Sequence, residues 1–354
     1  MTYLPFENGH LNHFTNGNGN HSNHKQVDDL NDRPKVLIWG LRKSGKTSIL
    51  KVIFEKMPPG KTFQLPETQV VQIHDLSCGH HVRFQVRDPP GANHTTLYPI
   101  EFDKYSSECN ALIFVIDAHD EYIEVLELLI NTMRHMYDRN RQIRFEVFLH
   151  KVDGLQENVK MDIRRDLQQR LTDILIEYSM ENALINFYLT SIYDHSIHEA
   201  FSKVIQNQMR QLRALENMLQ MICTSTQLDK IFLCDVNNKI VLATDNKPVE
   251  PQIYELCCDL IDVYVDIANI YGSNNNNPVL DSMSFCTIEL SIGVVLYLKD
   301  INEVLALICL VRKESAIKEG LIEHNLQCLK NTVEKLFVHD RLVQMDDLNI
   351  HNVE

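Results

Sequence analysis

A chain of 354 residues, 44% of them apolar, has the material for two packed domains of ordinary size. A formal net charge of -14 at pH 7 would repel a phosphate backbone, which argues against a nucleic-acid partner recognised by whole-protein electrostatics. Apolar runs such as 111–116 and 304–311 are strand-sized, short of the ~20 residues a helical bilayer span needs. Neither end carries a leader or a lipidation signal, so membrane residence is expected only through a partner.

Residues 1–33 are rich in Asn, Gly and His and poor in aliphatic side chains. They bury too little to offset the entropy of ordering and are expected to form a disordered tail. Its histidines, His10, His13, His21 and His24, have no fixed scaffold on which to build a selective metal site. A first domain is expected over 34–212. There the apolar runs 36–39, 81–86, 111–116, 145–149 and 186–189 read as strands, and 48–54, 122–137, 160–178 and 197–222 as helices. That alternation predicts an α/β fold with a mostly parallel sheet covered on both faces.

A second, smaller α+β domain is expected over 213–340. Runs 231–236 and 240–244 flank Asn237-Asn238-Lys239, a hairpin turn in which Asn tolerates positive φ. A helix over 252–270 and a polar loop at 272–278 follow. Runs 285–290, 294–298 and 304–311 are then spaced for an antiparallel meander, before a last helix over 321–338 and a flexible tail at 341–354. The nine cysteines form no CxxC pair and most are expected to be buried thiols of a reducing compartment.

The chemistry lies in the first domain. Gly40-Leu41-Arg42-Lys43-Ser44-Gly45-Lys46-Thr47 matches GxxxxGK[ST] between an apolar strand and a helix. Backbone N–H groups of Arg42, Lys43, Ser44, Gly45 and the helix start at Thr47 and Ser48 are expected to wrap the phosphates of a nucleotide. The Lys46 ammonium would lie against its outer phosphates, and the Thr47 hydroxyl would ligate Mg²⁺. Asp88-Pro89-Pro90-Gly91 follows the strand at 81–86. Asp88 is placed to hold the Mg²⁺ through water, and the Gly91 N–H to sense a third phosphate. Between the two motifs, Thr68 is expected to offer its hydroxyl to the metal, with Thr62 as the competing candidate. His150-Lys151-Val152-Asp153 ends a later strand. There the Asp153 carboxylate would accept from guanine N–H groups that adenine lacks, and the Lys151 stem would cover the purine. Ser191 and Ile192, after the strand at 186–189, are candidates to contact the base through backbone N–H groups.

With these motifs in this order, the chain resembles the Rag family of small GTPases, and within it the C/D kind. The likeness is carried by Gly40-Leu41-Arg42, by Phe145-Glu146-Val147-Phe148 with His150-Lys151-Val152-Asp153-Gly154-Leu155, by the stretch 187–197 and by Tyr254-Glu255-Leu256-Cys257-Cys258-Asp259. It covers about residues 35 to 340. The usual Asn-Lys-x-Asp of GTPases is His150-Lys151-Val152-Asp153 here, as the C/D kind also has it.

The resemblance implies a P-loop GTPase domain that uses GTP or GDP with Mg²⁺, followed by a roadblock-type dimerisation domain. It also implies a heterodimer with an A/B-type subunit, recruited by a scaffold complex to the cytoplasmic face of the lysosome or vacuole. There it would signal amino-acid sufficiency to the target of rapamycin kinase complex; cytoplasm and nucleus are further expected locations. In the active pair the C/D subunit holds GDP. One departure stands out: Ala92 follows Gly91 where the relatives have Gln. No catalytic side chain is therefore assigned, and hydrolysis is expected to be slow and dependent on a GTPase-activating protein. The stretch 89–99 departs from the relatives as well. Two other classes compete: a P-loop kinase or ATPase, for which no acceptor site or base is found, and a scaffold that holds nucleotide without cycling.

Overall fold

A computed structural model describes residues 33–78, 82–92, 102–120, 122–271, 280, 285–314, 320, 323–333 and 335. The expectations for the tails at 1–32 and 341–354, for the loop at 272–278 and for the departing stretch beyond Ala92 lie outside these residues.

The first sheet has six strands. They are β1 (Lys35–Trp39), β2 (Gln72–Cys78), β3 (Val82–Asp88), β4 (Ala111–Asp117), β5 (Arg144–His150) and β6 (Leu184–Thr190), in the spatial order β2-β3-β1-β4-β5-β6. All pair in parallel except β2, which runs antiparallel to β3. Every residue of β4 except Asp117 is buried, as a strand with both faces covered requires. Period-two alternation splits β1 between the two faces. Val36 and Ile38 meet α1 (Lys46–Phe54) and α5 (Ser196–Gln208) in one apolar cluster. Leu37 and Trp39 join the cluster of α3 (Tyr122–Tyr137) and α4 (Glu157–Glu177) in the other. A short α2 (Phe102–Ser106) contributes Phe102 to that second cluster.

The sequence did not reveal β2 or α2. In β2, Ile73 is half exposed and polar residues surround it, because an edge strand packs on one side only.

The predicted helix at 197–222 is two helices. After α5, Met209 adopts an extended ψ of 122°, and α6 (Leu212–Thr226) starts afresh. The apolar period continues across the break, which is why it was not visible in the sequence. α6 then buries Leu215, Leu219 and Cys223 in the cluster that reaches the second sheet.

That second sheet is antiparallel throughout, in the order β8-β7-β11-β10-β9. Its strands are β7 (Lys230–Asp235), β8 (Ile240–Thr244), β9 (Phe285–Glu289), β10 (Val294–Asp300) and β11 (Leu305–Arg312). The hairpin and the meander form as expected. α7 (Pro251–Tyr271) covers one face, and residues of the helical stretch 323–333 join the cluster on the other. The turn of the β7–β8 hairpin differs from expectation: Lys239, not an Asn, carries the positive φ of 55°. The Asp235 carboxylate accepts the Asn237 and Asn238 N–H groups at 2.8 and 3.1 Å, which fixes the turn from the strand side. Seven of the cysteines are buried free thiols, with Cys286 half-buried and Cys328 exposed. No described helix is long and apolar enough to cross a membrane.

α5 belongs to both sheets. Phe201 meets Phe54 and Phe148 edge-on at 5.4 and 5.9 Å. Along the same helix Gln206 Nε2 donates to the Val241 carbonyl at 2.7 Å, and the Val241 N–H donates to Ser202 Oγ at 2.9 Å. One continuous apolar cluster therefore runs from Val36 to Leu307. Phe201→Ala should leave a cavity at its centre and lower stability by about 3–5 kcal/mol. Urea unfolding followed by far-UV circular dichroism measures this, and a loss under 1 kcal/mol would contradict the packing.

Candidate functional site

The candidate residues gather at the carboxyl ends of β1, β3, β4, β5 and β6, the end where open parallel sheets bind ligands. The chain turns off β1 at Gly40, whose φ of 143° and whose place under the Val115 carbonyl both exclude a side chain. A Cβ there would lie 2.3 Å from that oxygen. The loop ends at Gly45, φ 103°, from which α1 begins. Its first N–H groups are directed out of the helix end, a natural anion cradle.

Arg42, Lys43, Gly45, Lys46, Thr47, Ser48, Thr68, Gly91, His150, Lys151, Asp153 and Ile192 line one cavity of about 600 Å³. Ser44, Asp88 and Ser191 stand behind that wall, each fully buried. The Ser191 N–H donates to Ser196 Oγ at 2.9 Å, so it is engaged within the protein. Ser191 Oγ instead donates to Asp153 Oδ1 at 2.7 Å and orients that carboxylate.

Lys46 Nζ donates to the Gly40 and Leu41 carbonyls at 3.1 and 2.8 Å. Burial lowers its pKa to about 8 against the opposing pull of Asp88, so the ammonium form still prevails at pH 7. Thr47 Oγ1 donates to Asp88 Oδ2 at 2.5 Å and lies 2.8 Å from Thr68 Oγ1. Thr62, the competing candidate, donates its hydroxyl to the Pro59 carbonyl at 2.7 Å. Burial raises the Asp88 carboxyl pKa, against the Thr47 hydrogen bond and the Lys46 charge. Asp88 Oδ1 is buried with no hydrogen-bond partner among the described residues. Two hydroxyls and a carboxylate with an unsatisfied oxygen are a hard-donor set, the kind a magnesium ion takes.

Three features were not foreseen from the sequence. Asp117, at the end of β4, accepts from Lys151 Nζ at 2.6 Å, while the same ammonium donates to the Lys43 carbonyl at 2.8 Å. Burial pushes the Asp117 carboxyl up, yet Lys151 and the His119 N–H outweigh it and hold it below its ordinary value. Arg42 pairs with Glu67, which ties the Thr68 loop to the phosphate-binding loop. The third is the seat of His150. Its Nδ1 lies 3.0 Å from Thr190 Oγ1, whose own hydrogen goes to the Leu149 carbonyl at 3.4 Å. The neutral ring with Nδ1–H satisfies both contacts. Its Cδ2 and Nε2 face Gly45, where an added Cβ would lie 2.7 and 3.0 Å away. His150 is thus a prop beneath the phosphate-binding loop as well as part of the cavity wall.

Burial, then the Lys151 charge, lower the His150 pKa to about 4. Because the folded value lies below the unfolded one of about 6.5, the contribution of this residue to stability is complete above pH 6.5. It fades as pH falls toward 4. NMR titration of the ring should show it neutral through pH 6, with a midpoint near 4; a midpoint near 6.5 would contradict the buried seat.

Similarity to known proteins agrees with this geometry. The family model described as the Gtr1/RagA G protein conserved region matches residues 35–261. The chain is 43% identical over 307 residues to Ras-related GTP-binding protein C of Homo sapiens, covering 86% of this chain and 77% of that one. It is 44% identical over 308 residues to GTP-binding protein gtr2 of Schizosaccharomyces pombe, covering 86% of this chain and 98% of the relative. To GTP-binding protein GTR1 of Saccharomyces cerevisiae it is 22% identical over 293 residues, covering 77% and 93%. The chain belongs to the Gtr1/RagA family of G proteins, on its C/D, or Gtr2, side.

Proposed function

We propose that this chain is a guanine-nucleotide switch: it binds GTP and GDP, hydrolyses GTP slowly, and works as the C/D-type subunit of a heterodimer with an A/B-type Rag GTPase. Membership in the family supports the coarse part of the reading, a GTPase of the Rag/Gtr kind. That Gtr1-type and Gtr2-type relatives both exist as distinct proteins supports a paired partner. On the resemblance to its relatives, the pair serves amino-acid signalling to the target of rapamycin complex, reached through a scaffold on the lysosomal or vacuolar surface.

The observation that carries the nucleotide reading is the convergence of Lys46, Thr47, Thr68 and Asp88 on one side of the cavity that Asp153 also lines. The Arg42 N–H, expected to join the phosphate cradle, instead donates to the Ala92 carbonyl at 3.0 Å, and the Ser44 N–H to the Leu41 carbonyl at 3.4 Å. In this reading the N–H groups of Lys43 and of Gly45 to Ser48 hold the phosphates, and Lys46 neutralises the outer ones. Magnesium would be held by the Thr47 and Thr68 hydroxyls with Asp88 behind, and would supply charge neutralisation there. The Asp153 carboxylate, oriented by Ser191, accepts from guanine N1–H and N2–H₂. The Lys151 stem, braced between Asp117 and Lys43, lies along the purine face. Ala92 brings no side-chain group to orient water, so the switch depends on an activating protein for turnover.

GDP with Mg²⁺ should raise the melting temperature and ATP with Mg²⁺ should not, since a ligand at a hundred times its Kd stabilises by about 2.7 kcal/mol. Asp153→Asn should reduce the guanine preference about tenfold to a hundredfold, because one acceptor for the base is lost. Equal stabilisation by ATP, or an unchanged preference in Asp153→Asn, refutes the assignment. Single-turnover GTP hydrolysis with and without an activating protein separates a switch from a passive nucleotide-holding scaffold; no cleavage in either case favours the scaffold.

A further inference from the structure

The loop after β6 that carries Ser191 and Ile192 runs into α5, and its last residue, His195, reaches α7 beside the second sheet. The His195 Nε2 atom lies 3.3 Å from Asp259 Oδ1. Asp262 follows one turn along α7, and His198 one turn along α5, so each helix presents a pair of ligand-bearing side chains at i, i+3 spacing. Among the described residues, a ring nitrogen of His195 and one carboxylate oxygen from each aspartate lie within 4.8 Å of one another. All three side chains are at least partly open to solvent, which gives an ion a way in.

Two further observations point to a cation at this place. The Lys239 ammonium, from the β7–β8 turn, lies 2.5 and 2.6 Å from the two Asp262 oxygens, so the cluster already draws a positive charge. His198 is only 9% exposed, and its Nδ1 lies 3.0 Å from the Asn238 carbonyl. A carbonyl only accepts, so Nδ1 carries the hydrogen; burial, then the Lys239 charge, keep the ring neutral at pH 7. Nε2 is left with its lone pair and no hydrogen-bond partner among the described residues. One ring nitrogen tied to a carbonyl with the other free is the arrangement in which a histidine ligates a metal. The two imidazole rings are 6.2 Å apart between centroids, close enough to share one ion after side-chain rotation.

We propose that His195, Asp259 and Asp262, completed by His198, form a binding site for a divalent transition metal of the zinc kind where α5 meets α7. Two imidazoles and two carboxylates suit zinc in a tetrahedral site, whereas magnesium and calcium prefer oxygen ligands alone. The ion displaces Lys239 from Asp262, because both cations need the same carboxylate. Once bound, it ties the loop of Ser191 and Ile192 to α7.

The test titrates zinc into the full-length chain by calorimetry, with Mg²⁺ in excess. The background carries His10→Asn, His13→Asn, His21→Asn and His24→Asn, so that the tail histidines take no metal. One zinc per chain should bind at this site. His195→Ala, His198→Phe and Asp259→Asn should each weaken it at least about tenfold, since a direct ligand should cost no less than an outer partner does. Lys239→Asn removes the competing ammonium and keeps a residue that tolerates positive φ; it should tighten zinc about tenfold. Cobalt in place of zinc should give visible bands without the near-ultraviolet charge-transfer band of a cysteine thiolate. Should a weakened variant also melt lower without metal, the gain in Lys239→Asn carries the decision. No zinc bound by the wild type, equal affinity in the wild type and Asp259→Asn, a thiolate band, or no gain in Lys239→Asn each overturns the proposal.

Discussion

The fit of Gly40 beneath the Val115 carbonyl oxygen governs the upper edge of the first sheet. Only a residue without Cβ lets the chain leave β1 there, and the departure sets the direction of the next seven residues. Lys46 then folds back over the loop to donate to the Gly40 and Leu41 carbonyls, and Thr47 reaches Asp88 across the gap from β3. Lys46 is met by two carbonyls, whereas Asp88 is met by Thr47 at one carboxylate oxygen only, the other being buried without a partner among the described residues.

The side of the cavity formed by Lys151 and Asp153 is built by the same logic but with less of it written locally. Lys151, in a left-handed conformation with φ 62°, reaches Asp117 on the neighbouring strand and Lys43 in the phosphate-binding loop. His150 supports that loop from below, and Ser191 holds Asp153. The two ends of the cavity are therefore one connected structure rather than two pockets side by side.

This difference explains what was legible in the sequence. The phosphate-binding loop, with its strand and helix, could be recognised because its parts are contiguous and each residue type has a chemical reason. The parallel sheet followed from the alternation of elements, and the second sheet from spacing. Asp117 could not be singled out: a lone carboxylate at the end of β4 gains meaning only from Lys151, 34 residues later. The support given by His150 to Gly45 was hidden for the same reason, since it depends on how β5 lies beside β1 and β4 in the sheet. β2 has too little buried surface to mark the sequence, and the break between α5 and α6 leaves the apolar period unchanged. The positive φ at Lys239 was missed because Asp235 fixes the turn from outside the tripeptide.

The sharing of α5 has a further consequence for how such a chain can vary and be handled. Cutting between Gln208 and Leu212 would leave α5 with the first sheet, where Phe201 stays packed on Phe54 and Phe148, and would strip one wall from β8, uncovering the oily sides of Ile240 and Leu242. A change in one sheet is felt by the other through a wall common to both.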